Sequence, residues 1–232
     1  MIKKDERYFN FPIQILQSFL VDDRKVLDNI IAYAIYENSL KLEYGSELEK
    51  IKSSSKYYAI ALGSYERVFD NGKSLYDSLP INSPKVGLSI SIFWDFYNND
   101  KTEFDKICLL AFLGIKSIIG TKPYHKATNL FLWARMDGKI RSINEIAELS
   151  KEVKKYANEY QTKKIKIALR NNWGLITYAR HTRGFYVSFK ITLKQLILEA
   201  EKRRNSTKEK QYKEYEKEVL KEVLEQLKTT RA

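Results

Sequence analysis

The chain has 232 residues with 41 Lys+Arg against 29 Asp+Glu, a formal net charge of +12, and a single cysteine. One cysteine excludes a disulfide framework and a thiolate zinc set, and two histidines are too few for a histidine metal centre. The longest apolar run, residues 109–119, is short and interrupted by Lys116, so no bilayer span is expected and a cytoplasmic location is the default reading.

The charge is unevenly placed. Residues 1–100 hold 12 basic and 14 acidic residues, whereas residues 121–190 alone hold 15 basic and 5 acidic. Such asymmetry points to a polyanion partner for the C-terminal half.

Along the chain, Tyr8-Phe9-Asn10-Phe11-Pro12 leads into Ile13, Ile15, Leu16, Phe19 and Leu20, which read as a short helix with proline in its first turn. A second helix starts at Asp22-Asp23, whose charges suit a helix N-terminus, and carries Val26, Leu27, Ile30, Ile31, Ala34 and Ile35 on its buried side. Residues 46–63 read as another helix. Residues 63–84, with Asp70-Asn71-Gly72, Pro80 and Ser83-Pro84, read as loop, and the domain boundary is placed there. The apolar stretch 86–97 fits a strand or a buried helix equally, since periodicity does not separate them. A helix over Glu103–Ile119 ends at Gly120 and contains the buried Cys108; another over 126–136 stops at Asp137-Gly138, and Ser142 can cap the next. Beyond residue 200, Tyr212, Tyr215, Val219, Val223 and Leu227 mark a narrow apolar seam on a charged helix, or a frayed charged tail. No internal repeat or low-complexity segment beyond that tail is evident.

Residues 158–190 carry the functional reading. Over 159–172, Ile165, Ala168, Leu169 and Trp173 fall at the spacing that buries one helix face, while Gln161, Thr162, Lys163, Lys164, Lys166 and Arg170 fill the others. Gly174 then permits a positive φ, and Leu175, Ile176 and Tyr178 start an extended run that turns through Arg180-His181-Thr182-Arg183-Gly184 and returns as Phe185, Tyr186, Val187. This is the pattern of a winged helix-turn-helix with a wing over 177–187. A competing register makes 142–157 the reading helix, with Ala134 and Gly138 at the small-residue spacing of the bend.

Thr162, Ala168-Leu169, Gly174-Leu175-Ile176 and Arg183-Gly184-Phe185-Tyr186-Val187 resemble the recognition helix and wing of GntR-like bacterial winged-helix regulators over roughly 50 residues. Residues 143–149 look like the preceding scaffold helix. The stretch 150–160 is longer than that group's inter-helix turn, and no ligand-sensing domain fits after residue 200. The resemblance therefore implies a DNA-reading module and not a metabolite-responsive repressor. A basic, tail-bearing chain of this layout is also similar to initiators of plasmid or phage replication, which pair two winged helices.

The expected protein is mainly α with a small β-hairpin wing: an N-terminal helical domain (1–84), a winged helix (85–200) and a charged helical tail (201–232). Its partner is double-stranded DNA. Tyr160, Gln161, Thr162, Lys163 and Lys166 are expected at base edges in the major groove, with Lys164, Arg170 and Tyr178 on flanking phosphates. Arg180, His181, Thr182 and Arg183 are expected in the minor groove or along the backbone. A homodimer could form through the N-terminal domain or residues 206–228. No catalytic residue, metal or cofactor is expected: Tyr156 and Tyr160 have the spacing of some rolling-circle nucleophiles but lack the accompanying histidines, and no phosphate-binding glycine loop is present. The alternative is a winged-helix protein-interaction module in a larger assembly, whose binding, unlike a polyanion contact, would be insensitive to salt.

Overall fold

Two strands 77 residues apart in sequence organise the first half of the molecule. In the computed structural model, which describes residues 6–179 and 184–229 with side chains to residue 221, β1 (Tyr8–Pro12) pairs antiparallel with β2 (Lys85–Ser89). Alternation places Phe9 and Phe11 inside with Val86 and Leu88, leaving Asn10 outside. Phe9 meets Phe93 edge-on at 4.7 Å and Tyr58 at 4.9 Å, so this ladder anchors an aromatic core.

Each strand leads through a shorter apolar helical segment into a 17-residue helix. After β1 come a 3-10 turn (Ile13–Leu16) and α1 (Asp23–Ser39), whose first-turn amide of Lys25 donates to Asp22 Oδ1 at 3.0 Å. After β2 come α4 (Ile90–Asn98) and α5 (Glu103–Ile119), started by a Thr102–Asp105 capping box and ended at Gly120 with φ +58°. Between them lie α2 (Glu47–Tyr57), begun by a Ser46–Glu49 capping box, and α3 (Tyr65–Ser78). The β1–β2 ladder is symmetric about the pair Asn10 and Gly87. Residues 11, 13, 15, 16 and 19 correspond across it to 88, 90, 92, 93 and 96, all apolar, and buried positions 27, 30, 31, 34 and 35 of α1 correspond to buried positions 107, 110, 111, 114 and 115 of α5. The two segments thus share an apolar pattern that the sequence reading did not find, although a 3-10 turn follows the strand in one and a nine-residue helix in the other.

Other readings are corrected too. Asn71-Gly72 lies inside α3, in the stretch read as loop, because α3 crosses α1 so closely that a Cβ at Gly72 would stand 2.5 Å from the Ala32 carbonyl oxygen. Helix packing, not a turn, requires this glycine. The ambiguous 86–97 stretch is a strand and then a helix, and residues 13–20 hold only the 3-10 turn. One core cluster joins β1, α1, β2, α5 and the elements after it, so packing runs straight through the boundary expected at residue 84.

The second half follows the order α5, β3 (His125–Ala127), α6 (Asn129–Met136), α7 (Lys151–Lys154), α8 (Glu159–Trp173), β4 (Ile176–Tyr178), β5 (Phe185–Ser188). The strands form one antiparallel sheet in the order β3-β5-β4. Residues 126–136 are therefore a strand followed by a shorter helix, which Thr128 starts by accepting the Phe131 amide at 3.1 Å. The expected scaffold helix at 143–149 holds only a 3-10 turn (Ile146–Glu148), and Ser150, not Ser142, caps the next helix. α9 (Leu193–Thr229) is continuous and starts eight residues before the predicted tail. The protein is thus mainly helical with small antiparallel sheets.

Candidate nucleic-acid interface

α8 is set by its ends and by one buried stripe. Asn158 Oδ1 accepts the Gln161 amide at 2.9 Å, and Gly174 closes the helix at φ +66° while the Leu175 amide donates to the Leu169 carbonyl at 3.2 Å. Ile165 and Leu169 face the core, and Trp173 packs on Phe112 of α5 with ring centres 4.7 Å apart. This leaves Tyr160, Lys163, Lys164, Ile167 and Arg170 exposed on the outer side, and Leu175 leads directly into β4. Residues 142–157 contain only the 3-10 turn and four-residue α7, so the competing reading helix does not form.

Burial separates the predicted contact residues. Thr162 is 2% exposed, and its Oγ1 accepts the Trp133 indole N–H at 3.0 Å, so this side chain fixes α8 to α6 and cannot reach a base. Lys166 is turned inward: its ammonium lies 3.2 Å from the centre of the Phe185 ring and 3.3 Å from Asn129 Oδ1. Gln161 is half-buried. Tyr178, expected on phosphate, donates its hydroxyl to Glu201 of α9 at 2.8 Å. Lys164 lies 4.6 Å from the Phe104 ring while staying exposed, and Arg170 stands 3.4 Å from Thr177 Oγ1 with its side chain in solvent. Arg180, His181, Thr182 and Arg183 lie outside the described residues. Among the described residues the predicted set thus divides into exposed Tyr160, Lys163, Lys164 and Arg170, half-buried Gln161, and inward-committed Thr162, Lys166 and Tyr178.

Sequence reasoning passed over Lys151 and Lys154, exposed on α7, and Lys126, exposed on β3. The available signal was local charge: residues 150–173 hold seven basic side chains and two acidic ones. Lys155 is paired with Glu103 at 3.6 Å, an exposed contact of small energetic weight.

Burial pushes the Lys166 ammonium down to about 8 from its ordinary 10.5. The folded state therefore releases this proton before the unfolded state does. Its penalty on stability is full below about pH 8 and is relieved as the pH rises toward 10.5. Burial also holds the Cys108 thiol up near 11 and the Tyr58 hydroxyl near 12, and these act in the opposite sense above their ordinary values. A difference measurement isolates the lysine. Lys166→Met should remove the part of the slope of unfolding free energy against pH that rises between 8 and 10, read by denaturant titration of both proteins; identical slopes would show that Lys166 titrates normally.

Among the described residues no group of three His, Cys, Asp or Glu is placed to hold a metal ion, and no helix is long and apolar enough to cross a membrane. Comparison with protein families, curated proteins and solved structures finds no match to this chain.

Proposed function

We propose that this chain is a sequence-specific double-stranded DNA-binding protein that reads the major groove with the outer face of α8 and follows the adjacent backbone or minor groove with the β4–β5 hairpin. The observation that carries the reading is the delivery of α8, through a single left-handed glycine, into a hairpin whose second strand is central in β3-β5-β4. Helix, strand, helix, reading helix and hairpin in that order are the parts of a winged helix-turn-helix, and here the exposed face of the reading helix is cationic. Tyr160 and Lys163, in the first two turns, are the base-edge candidates, with lysine suited to guanine O6 and N7. Lys164 and Arg170 are assigned to phosphates.

Residues 8–78 form one strand and three helices with no hairpin among the described residues, so the second wing that would favour a paired-module replication initiator is not among them. The proposal is accordingly common to a replication accessory factor and a transcription regulator. An exposed apolar stripe on α9, with Tyr212, Tyr215 and Leu220 each more than 60% exposed, favours protein docking as the second reading.

Selection from random duplexes at two salt concentrations separates the two. DNA reading yields an enriched motif, and about six neutralised phosphates would give a log-log salt slope near −5. Failure to enrich any motif, with association insensitive to salt, sinks the DNA reading and supports docking.

A further inference from the structure

We infer that the basic half of α9 is a second nucleic-acid contact, an arm lying along the DNA backbone beyond the hairpin; this rests on the DNA reading of α8 and extends it to a separate surface. The direction of α9 carries the inference. β5 ends at Ser188, whose Oγ accepts the amides of Lys190 and Ile191 at 3.0 and 3.1 Å and reverses the chain at the base of the hairpin. Thr192 then caps α9 by accepting the Gln195 amide at 3.3 Å, and the helix runs back along the outer face of the sheet. Leu196 and Ala200 pack with Tyr186, Ile176 and Tyr178, while Tyr124 donates to Glu199 at 3.2 Å. By Glu201, which accepts from Tyr178, α9 has reached the last residue of β4, the loop end of the hairpin. The turns of α9 after Glu201 continue beyond this contact with the end of β4. At 1.5 Å per residue, Lys213 stands about 20 Å farther along the axis than Ala200.

Charge changes along the same direction. Residues 202–213 carry six basic side chains, Lys202, Arg203, Arg204, Lys208, Lys210 and Lys213, against one acidic. Residues 214–225 carry five glutamates against two lysines. Lys202 and Arg204 are already paired to Glu199 and Glu201, at 2.9 and 3.3 Å. Lys208, Lys210 and Lys213 are exposed and have no carboxylate within 4 Å among the described residues. A helix that needed only solubility would mix its charges along its length. Here the cations occupy the turns that follow the contact with β4 and the anions occupy the turns beyond, which suits a backbone contact that ends after about three turns.

The test uses the full chain, a duplex carrying the selected motif, and the variant Lys208→Gln/Lys210→Gln/Lys213→Gln, with the helical signal checked by circular dichroism. Each lost phosphate contact removes about 0.9 from the salt slope. The variant should therefore lower the slope by about 2 to 3 and shorten the hydroxyl-radical footprint on one side, while selecting the same motif. A slope and footprint equal to those of the unsubstituted chain overturn the arm and leave the α8 reading standing. Loss of the motif itself would overturn it too, by placing these lysines in sequence readout. An unsubstituted chain that binds no duplex overturns both proposals together.

Discussion

A chain carrying Lys163→Ala, Lys164→Ala and Arg170→Ala should fold as before and lose at least 100-fold in affinity for its selected duplex. All three side chains are exposed on α8 and none is part of the buried stripe, so the change in unfolding free energy should stay within about 1 kcal/mol. On DNA a base-edge contact is worth about 1–3 kcal/mol, and the loss of two phosphate contacts beside it should carry the total past the roughly 2.7 kcal/mol of a hundredfold change. Fluorescence anisotropy at one fixed salt concentration reads the loss. Single variants would sort the roles: Lys163→Ala should relax the preference at one position of the motif, whereas Arg170→Ala should weaken all sequences alike. Affinity unchanged in the triple variant would move the contact away from α8.

The second large effect is on stability. Gly184 closes the hairpin at φ +98°, and a Cβ there would stand 2.3 Å from the Ala127 carbonyl oxygen of β3. Gly184→Ala combines a backbone conformation that L residues rarely adopt with a clash against main chain, which cannot rotate away as a side chain can. A cost of about 3 kcal/mol or more is expected, a fall in Tm of roughly 6–12 °C for a chain of this size. The damage is local to β3–β5, against which Lys166 and the start of α6 are seated, so DNA affinity should fall as well. A Tm within 2 °C of the unsubstituted protein would show that the hairpin can shift without loss.

Much of this arrangement was legible because short-range chemistry wrote it. The α5 boundaries at Glu103 and Gly120, the α8 stop at Gly174 and the return strand from Phe185 all follow from caps, a glycine and periodicity. The failures are long-range. Asn71-Gly72 has the composition of a turn, and only the close approach of α1 explains its place in a helix. Thr162 and Lys166 sit on a cationic stretch and looked available, but their neighbours Trp133, Asn129 and Phe185 come from distant elements that decide which way each side chain turns. The likeness of the two segments escaped notice because three extra residues separate strand from long helix in the second, shifting the offset from 77 to 80. Between residues 137 and 150, glycine, charge and short apolar runs gave a helical rhythm to a segment that is mostly irregular.

The β1–β2 ladder has a consequence during synthesis. β1 leaves the ribosome long before its strand partner β2, with 72 residues between Pro12 and Lys85. At roughly 5–20 residues per second, β1 waits about 4 to 14 s for β2 to be made. Through that interval Phe9 and Phe11 belong to an unpaired, apolar edge on a nascent chain. Through the same interval β1 is therefore a stretch open to chaperone capture or to misassociation with a neighbouring nascent copy.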